Sequence, residues 1–123
     1  MPELQAMFAS LKPLLSKYAP PLAPKTDHAG TYDLWSFRPV EIEGRKRKEV
    51  FFAALIIQKS YVGFYYMPVY AEPDIKKLFA PELLKLLKGK SCFHIKTLTP
   101  ELVVQIESAL RAGFAFYQER GWV

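Results

Sequence analysis

The chain has 123 residues, about half of them apolar and a quarter charged, which is typical of one folded domain and excludes a disordered chain. Its single cysteine, Cys92, excludes an internal disulfide and favours a reducing compartment, so we expect the cytoplasm. No apolar run approaches the ~20 residues of a membrane span. The formal net charge of +5 is scattered along the chain, which argues for solubility and against a nucleic-acid partner.

The first segment, 2–18, carries apolar side chains at helical spacing and predicts a helix. Pro13 lies inside this pattern and removes a backbone donor, so we expect the helix to kink or to restart there. The proline-rich run 19–24 cannot continue a helix and predicts an extended crossing.

Two short strands are predicted next, at 25–28 and 31–37. In the second, Tyr32 and Leu34 point to one face of the sheet, whereas Trp35 and Phe37 point to the other. Gly44 then marks a turn within 40–48.

Four successive cations, Arg45–Lys48, follow this turn. They could hold phosphate or nucleic acid. The alternative is a solvated hairpin end, which needs no partner.

The centre of the chain predicts a β-hairpin with arms Val50–Ile57 and Tyr61–Val69, joined by Gln58–Ser60. Both faces of both arms are largely apolar. If one face of the hairpin were exposed to solvent, apolar and polar residues would alternate more clearly along its arms. We therefore expect this hairpin to be central in its sheet, with helices on at least one face.

The hydrophobic period changes after Tyr70. Two short helices are predicted at Pro73–Phe79 and Pro81–Leu87, each begun by a proline, and Gly89 is predicted to end the second as a left-handed cap. A last strand follows at Ser91–Lys96. Its alternation places Phe93 and Ile95 on one face and the remaining side chains on the other: Cys92, His94 and Lys96.

The C-terminal helix is predicted from Thr99, a capping hydroxyl, to about Arg120, with Gly121 ending it. Its buried stripe is predicted to contain Leu102, Val103, Ile106, Ala109, Leu110, Gly113, Phe114 and Tyr117. These elements predict an α+β fold: a single compact domain, 1–123, in which an antiparallel sheet of about five strands is packed by the terminal helices. The two short helices precede the last strand.

No catalytic constellation is present in the sequence. His28, His94 and Cys92 do not have the spacing of metal ligands, so we expect no metal site and no cofactor. Cys92 is either a thiolate nucleophile or, as we prefer, a core residue. We therefore predict a protein that is not an enzyme.

A binding function has more support than an enzymatic one, because the chain has more aromatic residues than packing of the core requires. Tyrosine and tryptophan rings at a sheet surface can line a ligand pocket or a self-association patch, which allows a homodimer. We predict a binding domain for a small anionic ligand or a protein partner, with candidate site residues Trp35, Tyr65, Lys90, His94 and Lys96.

Four stretches of the sequence carry a resemblance to a known family: the run YVGFYYMPVY at 61–70, Pro81-Glu82-Leu83, GKSCFHIK at 89–96, and Gly113-Phe114 with Tyr117. In these the chain resembles the YdhG-like family of bacterial domains. The resemblance implies a compact α+β domain with an antiparallel sheet and packed terminal helices.

One branch of that family looks like a frataxin-type intracellular iron chaperone. The resemblance therefore implies an alternative function, iron binding through exposed acidic residues. Glu3 is the only acid of the first helical segment, so no iron ligand is assigned.

Overall fold

The computed structural model describes residues 2–123, apart from the side chain of Pro2. Its strands are β1 (Asp27–His28), β2 (Thr31–Ser36), β3 (Val40–Ile42), β4 (Arg45–Arg47), β5 (Val50–Ile57), β6 (Val62–Tyr66), β7 (Leu87–Lys88) and β8 (Cys92–Ile95). Six of them form one antiparallel sheet in the order β1-β2-β5-β6-β8-β7, and β3 pairs with β4 in a separate ribbon. The predicted α+β class is confirmed. The predicted domain, 1–123, also includes Met1, which lies outside the described residues.

The helices are α1 (Pro2–Ser16), α2 (Met67–Ala71), a 3₁₀ helix (Pro73–Leu78), α3 (Pro81–Leu84) and α4 (Pro100–Glu119). The two long helices contact each other, and α1 also packs against β5. Within residues 2–123, none of these helices combines the length and the apolar character needed to cross a membrane.

The core lies between the sheet and the two long helices. Opposed residues of antiparallel strands share a face. The register therefore places two rows on the inner face, Leu34–Ala53–Tyr66 and Tyr32–Leu55–Phe64–Phe93. Each of these side chains is at most 3% exposed, so their burial supplies much of the driving force for folding.

A β-bulge brings an additional ring into this core. The register of β2 and β5 shifts between Leu34 and Trp35, which leaves Phe52 as the extra residue. Phe52 is fully buried, with ring centroids 5.2 Å from Tyr117 and 5.5 Å from Tyr66. Because of the bulge, Phe52 and Ala53, which are successive residues of β5, both face the helices.

The last helix begins as its sequence predicts, because Thr99 Oγ1 accepts a hydrogen bond from the N–H of Leu102 at 3.1 Å. Its buried side differs slightly from the predicted stripe. Val103 and Phe114 are half-buried, whereas Phe116, which was not predicted, is buried.

Phe116 is buried because the chain folds back after α4 and places the Trp122 ring against it, with the two ring centroids 5.3 Å apart. The buried hydroxyl of Ser36 donates to the Trp122 carbonyl at 2.5 Å and fixes this end to β2.

Two predictions that depended on proline need correction. Pro13 lies inside α1, which is one helix from Pro2 to Ser16, so of the two predicted outcomes, a kink or a restart, the restart is wrong. Leu11 and Leu15 are both fully buried on either side of it, and this packing outweighs the missing backbone donor. Conversely, β6 ends at Tyr66 and not at Val69, because α2 begins at Met67 and Pro68, in its first turn, cannot donate to the strand ladder.

The predicted helix 81–87 is also too long. It ends at Leu84, and Leu87 pairs with Phe93 in the short strand β7. Gly89 has a left-handed φ of 71°, as predicted, but it lies in the turn between β7 and β8 and does not cap a helix. This hairpin gives the sheet one more strand than expected.

Candidate functional site

The second face of the six-stranded sheet, called here the outer face, carries mainly half-buried side chains. The register places one row across it, Asp33–Ala54–Tyr65–Cys92–Lys88, and a second beside it, Thr31–Ile56–Gly63–His94. Trp35 lies on the same face next to Phe51, with ring centroids 5.1 Å apart. The predicted residues Trp35, Tyr65 and His94 therefore share one face.

The ring of Tyr65 lies against the strand that carries it. A Cβ on Gly63 would come within 2.8 Å of Tyr65 Cε2, so glycine is what lets the ring lie there. The Tyr65 hydroxyl accepts a hydrogen bond from Gln58 Nε2 at 3.0 Å. Burial raises the pKa of Tyr65, so at neutral pH this hydroxyl is protonated and can donate a hydrogen bond.

His94 is held by a stacked aromatic neighbour. The Tyr61 and His94 rings are nearly parallel, at 13°, with centroids 3.9 Å apart. The backbone N–H of His94 donates to the Leu86 carbonyl at 2.9 Å, which ties β8 to the residue before β7. The imidazole is thereby positioned at the border of a surface groove.

This groove, called here the lysine groove, is bounded by α3, β7, β8 and the start of α4. It has a volume of about 360 Å³. Its charged and titratable lining residues are Glu82, Lys85, Lys88, His94 and Lys96. Apolar and hydroxyl groups complete it: Leu86, Thr97, Thr99 and Leu102.

The charge of the lysine groove is positive. Within the described part of the chain, Lys85, Lys88 and Lys96 have no acidic side chain within 4.0 Å. Glu82 accepts a hydrogen bond from Gln105 Nε2 at 3.4 Å. The positive end of the α4 dipole borders the groove through Thr99. Three ammonium groups, an imidazole and this dipole can together attract an anion.

Lys90 lies in a different cavity. It lines a groove of about 330 Å³ with Tyr70 and Lys76, and its ammonium group is 5.8 Å from the centroid of the Tyr70 ring. Trp35 is also remote, because β5 and β6 separate its strand from β8. The structure therefore brings His94 and Lys96 together in the lysine groove, leaves Tyr65 nearby on the outer face, and separates Trp35 and Lys90 from them.

Cys92 lies opposite Tyr65 on neighbouring strands. Burial raises the pKa of the Cys92 thiol, so the neutral thiol predominates at neutral pH. A cysteine nucleophile needs a lowered pKa. Cys92 is half-buried on the outer face, so the prediction that it is a core residue is wrong, and its surroundings do not activate the thiol as a nucleophile.

Among residues 2–123, His, Cys, Asp and Glu side chains nowhere gather in a group of three that could hold a metal ion.

Two of the groove lysines, Lys85 and Lys88, were not among the candidate site residues. Both follow the Pro81 helix start, where the sequence predicts a helix up to Leu87. Lys88 lies beside His94 because β7 pairs with β8. A strand of two residues shows no hydrophobic periodicity, so the sequence gives no sign of this pairing.

Comparisons of the chain with protein-family models, with curated proteins and with solved structures give no match.

Proposed function

We propose that this protein is a non-enzymatic binding domain for a small anionic ligand, which it holds in the lysine groove. The observation that supports this most is the convergence of Lys85, Lys88, Lys96 and His94 on one cavity of about 360 Å³. That volume is at the lower end of the range for small-molecule sites. Leu86 and Leu102 offer an apolar surface to the rest of the ligand.

The direction of two pKa shifts argues against catalysis by a phenolate or a thiolate beside the groove. Burial raises the pKa of Tyr65 and of Cys92, the titratable groups nearest the middle of the outer face. Both groups are therefore held in their neutral forms at physiological pH. A general base or a nucleophile would need the opposite shift.

Titration of the isotope-labelled protein with citrate and with inorganic phosphate, followed by amide NMR shifts, tests the proposal. We expect saturable shifts confined to residues 82–102. Each exposed ammonium contributes on the order of 1 kcal/mol in a high-dielectric site. Replacing two should therefore weaken binding at least tenfold.

The test variant is Lys88→Gln with Lys96→Gln, and the matched control is Lys76→Gln with Lys90→Gln, which removes the same charge from the second groove. Shifts that do not saturate, or an equal loss of affinity in both variants, would contradict the proposal.

The single cysteine is compatible with a reducing cytoplasm as the place of action. The membership of the YdhG-like family and the frataxin-like iron carrier that it implies stay predictions. Anaerobic titration with ferrous iron tests the second of these.

A further inference from the structure

The outer face of the sheet carries an apolar layer that is separate from the core. Four large side chains on it are half-buried but, within the described residues, neither belong to the core cluster nor pack against it: Trp35, Phe51, Ile56 and Tyr65. Ala54 is only 5% exposed and also lies outside that cluster, so its neighbours on the same face cover it. A contiguous apolar surface of this kind usually marks an interaction site.

The charged side chains of this face lie at its two ends. In the row Asp33–Ala54–Tyr65–Cys92–Lys88, three uncharged residues separate the acid on β2 from the cation on β7. The neighbouring row, which begins at Thr31, contains no carboxylate, lysine or arginine. Aromatic residues in the middle with charges kept to the rim are the composition of a protein–protein interface.

The two end charges of this row are not used within the fold. Asp33 Oδ1 accepts hydrogen bonds from the backbone N–H groups of Lys25 and Thr26, at 2.7 and 2.9 Å. Among residues 2–123, neither Asp33 nor Lys88 has an oppositely charged side chain within 4.0 Å. Each end of the row therefore offers a charge to a partner.

We propose that the outer face binds the outer face of a second copy of this chain in a symmetric homodimer. A two-fold axis parallel to the strands and passing near Tyr65 reverses the strand order, so that Asp33 faces the partner's Lys88 and Lys88 faces the partner's Asp33. Two sheets related in this way keep their strands roughly aligned and pack about 10 Å apart, as in a β-sandwich. Because the charges of the row complement each other under this symmetry, a second copy fits the face better than an unrelated chain.

The size of the face sets the strength of the dimer. The five strands from β2 to β7 span about 24 Å, and five residues along a strand span about 17 Å. The two faces therefore offer roughly 800 Å² in projection, to which the relief of the aromatic side chains adds. This area is at the low end for specific complexes, so the dimer is weak and its population depends on protein concentration.

This homodimer goes beyond the binding of an anion and does not depend on it. Lys88 and His94 belong to both the outer face and the lysine groove, so dimerisation is measured in a buffer without citrate or phosphate. Failure of the dimer would leave the proposed ligand site untouched, because that site is tested by saturable shifts with added anion.

Sedimentation velocity of the protein between about 10 µM and 1 mM tests the proposal. We expect the average mass to rise with concentration towards that of two chains. In the isotope-labelled protein, the same increase in concentration should shift the amide signals of β2, β5, β6 and β8 and leave those of α1 and α4 unchanged. This second measurement needs no substitution and reports directly on the surface involved.

The variant Ile56→Lys places a charge in the apolar middle of the face on each copy. We expect it to weaken the dimer at least about 100-fold, because two like charges would be desolvated and unpaired. The matched control is Val104→Lys, which adds the same charge at a 64% exposed position of α4 and should leave the dimer unchanged. Circular dichroism checks that both variants are folded.

A double-mutant cycle tests the two-fold arrangement. Asp33→Asn keeps the Oδ1 acceptor of Lys25 and Thr26 but removes the charge, and each dimer then loses two exposed ion pairs. We expect Asp33→Asn and Lys88→Gln each to weaken the dimer about fivefold, and the double variant by about the same factor, because the two substitutions remove one interaction.

Four results would overturn the proposal. They are a monomer at about 1 mM, concentration-dependent shifts on the helices in place of the sheet, an equal effect of Ile56→Lys and Val104→Lys, and losses that multiply in the double-mutant cycle. A monomer that binds phospholipid vesicles through Ile56 would assign the outer face to a lipid surface instead.

Discussion

The contact between α4 and β6 at Gly113 leads to a sharp prediction for Gly113→Ala. A Cβ at this position would lie 1.8 Å from Tyr66 Oη, 2.6 Å from Tyr66 Cζ and 2.8 Å from Pro68 Cγ. Tyr66 is fully buried and its hydroxyl donates to the Ala109 carbonyl at 2.5 Å. The Tyr66 ring also packs against the rings of Phe52 and Phe64, with centroids 5.5 and 5.1 Å away, so the added methyl group must displace either this packed ring or the helix.

The magnitude follows from three terms. Overpacking a core costs up to about 3 kcal/mol, and a displaced Tyr66 loses a hydrogen bond of about 1 kcal/mol. Alanine offsets about 1 kcal/mol of this, because it is the better helix former. We therefore expect Gly113→Ala to lower the free energy of unfolding by roughly 3 kcal/mol, or the melting temperature by roughly 10 °C.

Urea denaturation monitored by tryptophan fluorescence and by circular dichroism measures this change. Ala115→Gly, at an exposed position of the same helix, calibrates the propensity term and should cost about 1 kcal/mol. In a Tyr66→Phe background the nearest obstacle, the hydroxyl, is gone, so the cost of Gly113→Ala should fall by about 1 kcal/mol. A Gly113→Ala variant as stable as the parent, or one with the same cost in both backgrounds, would rule out a steric conflict with Tyr66.

Two further predictions concern titratable groups. Burial raises the pKa of Tyr66 and of Tyr117 above the ordinary value of 10.0, so the folded state keeps protons that the unfolded state loses. Stability should be complete below pH 10 and fall above it, with these two tyrosines contributing up to about 2.7 kcal/mol per pH unit, and Tyr117→Phe should reduce the slope in urea titrations by up to about 1.4 kcal/mol per pH unit. Because burial also raises the pKa of the Cys92 thiol, its labelling by a disulfide reagent near neutral pH should be slower than that of a cysteine peptide and should reach the peptide rate in urea. A native rate above that of the peptide would instead indicate an activated thiolate.

The elements that the sequence predicts well are those with a local signal. Apolar runs predict β5 and β6, and the hydroxyl of Thr99 before a helical stripe predicts the start of α4. Alternation within the last strand correctly places His94 apart from Phe93, whose side chain is fully buried in the core.

The groove depends on contacts that no local pattern encodes. Lys88 lies beside the outer-face side chains of β8 because Leu87 pairs with Phe93 and Lys88 with Cys92. Trp35 is far from the groove because β5 and β6 lie between its strand and β8. Strand order and the pairing of two-residue strands are non-local properties, so the sequence located only part of the candidate site.

Both edges of the main sheet consist of strands two residues long, β1 and β7. A long edge would expose a row of unpaired peptide groups and invite another polypeptide to add its own strand. Here that row is too short to give a stable extension of the sheet. Association with a second copy or another protein should therefore proceed through side chains on the outer face, and fibril-like stacking at the margins should be suppressed.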